Sequence, residues 1–274
     1  MRLQFPEMSG KLTDTEQKIL EFIEENREEF LFMTIGQLAE QMRVSEATVS
    51  RFARHLGCRD FKQVKAVVME QNHLEGPAGK MAGTLFQSEK PGILSYLKRQ
   101  QICLEKTMEH LDEQEFEAAI QEIISASRVH IYAKNASSSM GQLLFFRMRR
   151  LGIAVSLLPS GGSEMLEGLA SVKKDDLVIL FGFSKISKEG RIILEQQKTA
   201  GYHTLLFTSR LHAPKEDLAH VNLYVYRGQA GEYHSMTAAA AVTDALIIAL
   251  SDSMGAEGAK NLHNIYKLKK KYQL

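Results

Sequence analysis

Two cysteines in 274 residues, Cys58 and Cys103, are too few and too far apart for a disulfide framework or a cysteine metal site, and they fit a reducing compartment. Nine histidines are scattered without HExxH or comparable spacing, so no metal is expected, and no cofactor either. No apolar run approaches the roughly 20 residues that span a bilayer. The opening stretch MRLQFPEMSGK has no signal-peptide core. A soluble, cytoplasmic protein without membrane contact is the expectation. A net charge of +1 excludes a generally basic chain, and no repeat of solenoid length is visible.

What the chain does have is a sharply patterned stretch, TIGQLAEQMRVSEATVSRFARHL, at residues 34–56. Ile35, Leu38, Ala39 and Met42 recur at helical spacing behind Thr34, a candidate N-cap, and predict one short helix. Val44 is expected to bury at a tight turn, and Ser45 offers a second capping oxygen. Val49, Phe52, Ala53 and Leu56 then mark the inner face of a second helix that Gly57 ends. Rotation by about 100° per residue puts Ala47, Ser50, Arg51 and Arg54 opposite that stripe, flanked by Thr48 and His55. Small residues in the first turn let a helix approach base edges, and the arginines reach guanine acceptors or phosphates. The candidate DNA-contacting set is Ser45, Glu46, Ala47, Thr48, Ser50, Arg51, Arg54 and His55. A plain helical hairpin with a solvated basic face competes with this reading. Both caps, the turn and the two-sided second helix together favour a helix-turn-helix.

Charge supports it. Residues 43–65 carry Arg43, Arg51, Arg54, Arg59, Lys62 and Lys65 against Glu46 and Asp60, a local net of +4. Glu21, Glu24, Glu25, Glu28 and Glu29 of the opening helix would repel phosphate, so that face is expected to point away from a duplex. The terminal run Lys267, Lys269, Lys270 and Lys271 reads as a solvated helix end.

Leu12, Ile19, Leu20, Ile23 and Phe30 predict one opening helix, capped by Thr13 or Asp14 with Glu16 or Gln17 reaching back. Phe61, Val64, Val67 and Val68 close a small all-helical domain. GPAGKMAG, followed by Pro91 and Gly92, reads as a linker with a helical middle. Apolar spacing over residues 93–126 predicts two helices broken near Asp112. After Arg128, short β-rich runs (VHIYA, IAVSLL, LVILFGF, YHTLLFT, NLYVYR) alternate with helical stretches near 139–151, 164–170, 188–200 and 236–253. Such alternation predicts an α/β domain with a five-stranded parallel sheet and helices on both faces. The expected organisation is an all-α DNA-binding domain at 1–75, a linker at 76–92, and an α/β domain at 93–274, to which the resemblance below assigns effector binding and dimerisation.

Ligands of open parallel sheets bind beyond the carboxyl ends of the strands, where helix N-termini attract anions. Two such ends are rich in hydroxyls: KNASSSMG after the first strand, with Ser137, Ser138 and Ser139, and SKISKEG after the third, with Ser184 and Ser187. Hydroxyls and free N–H groups converging there suit a phosphate monoester. Serines that simply cap helices are the competing reading.

The stretch TIGQLAEQMRVSEATVSRFARHLGCRDFKQVK resembles the N-terminal domain of the MurR/RpiR family of bacterial transcriptional regulators, whose pattern runs LA-x-x-x-x-VS-x-x-TV-x-RF-x-x-x-LG and then F-x-x-x-K. Residues 126–250 are similar to a sugar isomerase (SIS) domain, with flavodoxin-like layering. The resemblance implies a regulator whose SIS domain binds a phosphosugar effector and, through a dimer, alters affinity for DNA. In such domains loops resembling G-x-G-x-S and S-x-S-G-x-T hold the phosphate. This chain has AKNAS at 133–137 and GFSKIS at 182–187, so serines stand at 137, 184 and 187 while Ala133, Asn135 and Lys185 replace glycines. Substituting glycine narrows or re-routes an anion cradle. Either Lys185 supplies a compensating charge, or the pocket is degenerate and serves dimerisation alone. The candidate ligand set is Ser137, Ser138, Ser184, Lys185 and Ser187, with Glu232 as a sugar-hydroxyl contact.

Three functions compete. A DNA-binding regulator tuned by a phosphosugar is the first, with a homodimer on a near-palindromic operator and a tetramer left open. A phosphosugar isomerase would need a base at the substrate carbon, for which Glu189, Glu232 and His234 are available. An N-terminal DNA reader has no use in a simple isomerase, so no catalytic residue is assigned and no enzyme is expected. A DNA-binding dimer that senses nothing is the third.

Overall fold

The computed structural model describes residues 3–6, 10–72, 76–87 and 92–273. They fall into two compact units: residues 1–96 with 228–234, and residues 97–227 with 235–274.

The first unit is helical. Helix α1 (Asp14–Glu25) opens on a capping box between Thr13 and Glu16. The apolar pattern predicts continuation to Phe30, but the chain breaks at Asn26. Its side-chain amide donates to Phe22 O at 3.0 Å, ending one helix where α2 (Arg27–Phe32) begins. Helices α3 (Ile35–Met42), α4 (Glu46–His55), α5 (Phe61–Asn72) and α6 (Gly76–Gln87) follow. Ile19, Ile23, Phe30, Leu38, Val49, Phe52, Leu56, Val64 and Val68 are buried together as its core. The Phe30 and Phe61 rings meet edge-on at 5.5 Å. Segment 228–234 belongs to this unit, where the Tyr233 N–H donates to Thr84 Oγ1 at 2.6 Å.

Helix α7 (Ile93–His110), which belongs to the second unit from residue 97 onward, and α8 (Glu113–Ser125) are separated by Asp112, whose carboxylate caps α8 through Gln114 N and Glu115 N. The strands are β1 (Val129–Tyr132), β2 (Val155–Leu157), β3 (Leu177–Phe181), β4 (His203–Thr208) and β5 (Val221–Tyr224). They form one parallel sheet in the order β2-β1-β3-β4-β5. Alternation along the strands serves two cores. Ile131, Ile179, Leu205 and Leu223 pack with residues of α8, of α9 (Ser138–Leu151) and of α12 (Thr237–Met254). Val178, Leu180 and Leu206 pack with Met165 and Leu169 of α10 (Gly162–Ala170) and Ile193 and Leu194 of α11 (Lys188–Ala200). This is the five-stranded parallel sheet with helices on both faces that the sequence pattern predicts, with the flavodoxin-like, SIS-like layering that the resemblance implies.

One feature departs from expectation. Over 18 residues α12 reaches a mean hydropathy of 1.3, closer to membrane-spanning composition than the sequence reading allowed. Its Ala238, Ala239, Val242, Leu246 and Leu250 lie in the core of the unit, which explains the composition. Beyond it runs a further helix, α13 (Ala256–Tyr272), whose lysines at 267, 269, 270 and 271 are exposed.

Candidate DNA-binding face and ligand crevice

The turn between α3 and α4 is built from backbone chemistry. Thr34 and Gln37 form a capping box at the start of α3. At its end Arg43 takes a left-handed conformation (φ 54°), a position glycine usually fills, and Val44 N donates to Ala39 O at 2.9 Å. Val44 is half-buried. Ser45 Oγ accepts from Thr48 N at 3.2 Å and starts α4. Val49, Phe52 and Ala53 are buried, which sets the rotation of α4 and leaves Ala47, Arg51 and Arg54 exposed, with Thr48 and Ser50 half-buried. Gly57 (φ 76°) then closes a Schellman motif: Gly57 N donates to Arg54 O at 3.0 Å and Cys58 N to Ala53 O at 2.9 Å.

The predicted contact residues do not share one environment. Arg51 lies along its own helix, Nε 3.3 Å from Ala47 O. The Glu46 carboxylate sits against Gly36 of α3, so close that a Cβ there would be 2.8 Å from Oε1. His55 Nδ1 pairs with Glu16 of α1 at 3.0 Å in a half-buried position. Burial alone would raise the Glu16 carboxyl, but bonds from Thr13 and His55 outweigh it and hold the carboxyl below its usual range. Lys65, one of the cations counted above in the local net charge, is 9% exposed. Its ammonium donates to the carbonyls of Leu31 and Met33 at the end of α2, and burial pushes it down to about 8.

In the second unit the strand order reverses between β1 and β3, so the chain leaves the sheet in opposite directions there and opens a crevice at the carboxyl ends. Residues 133–137 follow β1 and residues 182–187 follow β3. Asn135 takes the left-handed conformation (φ 54°) that a glycine would, while Ala133 and Lys185 lie outside that region. Ala133 fits because α9 has Gly141 beside it: a Cβ at 141 would lie 2.8 Å from the Ala133 methyl. In the second loop the buried Ile186 is wedged between Gly182 and Gly190, where Cβ atoms would stand 2.5 and 2.9 Å from its side chain.

Of the predicted ligand residues, Ser137 is 9% exposed and its hydroxyl makes no capping bond to α9. Ser138 Oγ donates to Asn135 O at 2.7 Å. Ser187 Oγ accepts from Gly190 N at 3.1 Å and caps α11. Ser184 and Lys185 are exposed. Glu232 lies in segment 228–234 of the other unit, where Gln229 N donates to its carboxylate at 3.1 Å.

Three groups the sequence reading did not assign to the site lie among these loops. Lys134 Nζ is 2.9 Å from Glu189 Oε1, joining the loop after β1 to the first turn of α11. The Lys134 ammonium holds the Glu189 carboxyl down to about 2. Glu189 in turn raises Lys134. The Tyr132 hydroxyl lies 3.1 Å from Ser187 Oγ, 3.3 Å from Ser160 O and 3.4 Å from Glu189 Oε2, and burial pushes it up. No spacing rule announces these partners, because they meet only once the sheet forms. Among the described residues no group of three His, Cys, Asp or Glu side chains is arranged to hold a metal.

Comparison with known proteins agrees with both halves. A family model described as a helix-turn-helix domain of the rpiR family matches residues 2–73, and one described as a SIS domain matches residues 122–249. The fold is similar to the sugar isomerase domain of the RpiR transcription factor from Sphaerobacter thermophilus. The two share 20% identity and a TM-score of 0.59, over 64% of this chain and 97% of that one. It is also similar to the Vibrio vulnificus NanR protein complexed with ManNAc-6P, at 19% identity and a TM-score of 0.58, over 95% and 94% of the two chains. A candidate sugar-phosphate isomerase from Listeria monocytogenes matches at 16% identity and 0.52, over 59% and 87%. With an rpiR-type helix-turn-helix ahead of a SIS domain, the chain belongs to the RpiR family of regulators.

Proposed function

We propose that the chain is a cytoplasmic, DNA-binding transcriptional regulator of sugar-metabolism genes whose SIS domain binds a phosphosugar and thereby changes operator affinity. Residues 1–75 read DNA, 76–92 link, and 93–274 bind effector and pair two chains. Two recognition helices α4 then meet half-sites in successive major grooves of a near-palindromic operator, with Arg51 and Arg54 as the reaching side chains.

The observation that supports the sensing role best is Ser137, a nine-tenths buried residue at the start of α9 whose hydroxyl does not cap its own helix and so stays available to a ligand beside the crevice. The left-handed Asn135 two residues earlier supports a retained cradle rather than a degenerate one. An effector acts only through its differential affinity for the DNA-competent and DNA-incompetent arrangements.

The isomerase reading is favoured by fold alone. Glu189 is already ion-paired with Lys134, which favours regulation over turnover. The test is a thermal-shift screen of hexose and amino-sugar 6-phosphates, ManNAc-6P first, followed by fluorescence anisotropy on promoter fragments with and without the best binder. A ligand that stabilises the protein and changes promoter affinity is expected. Stabilisation without any change in DNA affinity would remove the regulatory link, and turnover at enzymatic rates would establish the isomerase.

A further inference from the structure

We propose that the Lys134–Glu189 ion pair is the element of the crevice that distinguishes a sugar phosphate from free phosphate: the ligand's phosphate takes Lys134, and the released Glu189 carboxylate accepts hydrogen bonds from the sugar's hydroxyls. The inference rests on the phosphosugar reading above and names the residues that give it selectivity.

The pair crosses the crevice from the loop after β1 to α11, and it is neither buried nor free: side-chain exposure is 39% for Lys134 and 20% for Glu189. An incoming ligand can therefore reach it without unfolding anything. A third wall comes from the loop after β2. A Cβ on Gly161 would stand 3.3 Å from Glu189 Oε1 and 3.9 Å from Lys134 Nζ, so the backbone there runs tight against the pair. The buried Tyr132 hydroxyl faces the other carboxylate oxygen at 3.4 Å and offers Glu189 one protein donor that persists after Lys134 leaves.

Charge makes the exchange necessary. Glu189 already places a carboxylate in the first turn of α11, the end of the helix that attracts anions. A phosphate entering beside it meets a like charge unless Lys134 turns from the carboxylate to the newcomer. The carboxylate then lacks its cation and keeps only neutral donors such as the Tyr132 hydroxyl, and a charge so weakly compensated is costly. Sugar hydroxyls supply those donors. Inorganic phosphate has little to offer and keeps the repulsion, so Glu189 acts against it and for the sugar ester.

Isothermal titration of the full chain with inorganic phosphate, ManNAc-6P and glucose 6-phosphate tests this. Glu189→Gln should bind inorganic phosphate about threefold or more tighter and the preferred sugar phosphate about tenfold weaker, while Lys134→Met weakens both. Glu189→Asp, which keeps the charge, should retain most of the wild-type selectivity and covers the case of a misfolded Gln variant. If wild-type protein binds a sugar phosphate and Glu189→Gln shifts all probes by one common factor, the selectivity role is overturned while the sensing role stands. If wild-type protein binds none of the probes, the sensing reading falls and this role with it.

Discussion

Ala133 and Gly141 are complementary in size: the methyl of the first occupies the space that a side chain on the second would need, at 2.8 Å. Alanine in a helix gains about 1 kcal/mol over glycine by propensity. Overpacking of a tight contact costs about 1 to 3 kcal/mol. At 2.8 Å the clash should win, so Gly141→Ala lowers the melting temperature of the α/β unit, and adding Ala133→Gly should recover it. Calorimetry on the single and double variants checks the pair. A stabilised Gly141→Ala single variant would show that the loop yields.

Asn135 should tolerate glycine and resist β-carbons without a polar tip. Asn135→Gly is expected to change stability by only a few tenths of a kcal/mol, whereas Asn135→Val should cost about 1 to 2 kcal/mol because the left-handed region is closed to it. Denaturant titration measures both, and the valine variant should also lose phosphosugar affinity.

Arg51→Ala tests base reading. If its guanidinium leaves Ala47 O to reach a guanine, operator binding should weaken by about 1 to 3 kcal/mol with little effect on scrambled duplex. An equal loss on both duplexes would reassign Arg51 to phosphate contact. Comparing salt slopes separates the cases, since a lost phosphate contact reduces the slope by about one ion.

Lys65 gives the helical unit an alkaline signature. Its folded value of about 8 lies below the ordinary 10.5. Below pH 8 both states hold the proton and the cost of burying the ammonium is fully present. Between pH 8 and 10.5 the unfolded chain binds more protons, so stability should rise with pH across that window. Urea midpoints of wild type and Lys65→Met, measured from pH 7 to 10, should diverge in slope. Parallel curves would mean that the ammonium stays charged throughout.

Much of this molecule was legible before any fold was known. The helix-turn-helix stood out because its caps, its inner stripe and Gly57 are all local in sequence, and local bonds build it. The five strands were legible because a sheet covered on both faces needs continuous apolar runs. What stayed hidden depends on distant partners. Lys65 counts as a surface cation until its carbonyl acceptors 32 and 34 residues away are in place. His55 reads as an outward-facing side chain until Glu16, 39 residues upstream, meets it. Lys134 and Glu189 are 55 residues apart, and nothing in either neighbourhood names the other. The break at Asn26 was missed for a different reason: an asparagine amide folding back on its own helix competes with an apolar pattern that runs straight through it.

Strand β3 is the central member of the sheet and every one of its five residues is buried. Its amide protons are shielded by β1 and β4 on either side, so hydrogen–deuterium exchange there should proceed only through complete opening of the α/β unit. The loop carrying Ser184 springs from that shielded strand. Ligand-dependent changes in its own exchange would therefore report movement of the loop against a stationary floor.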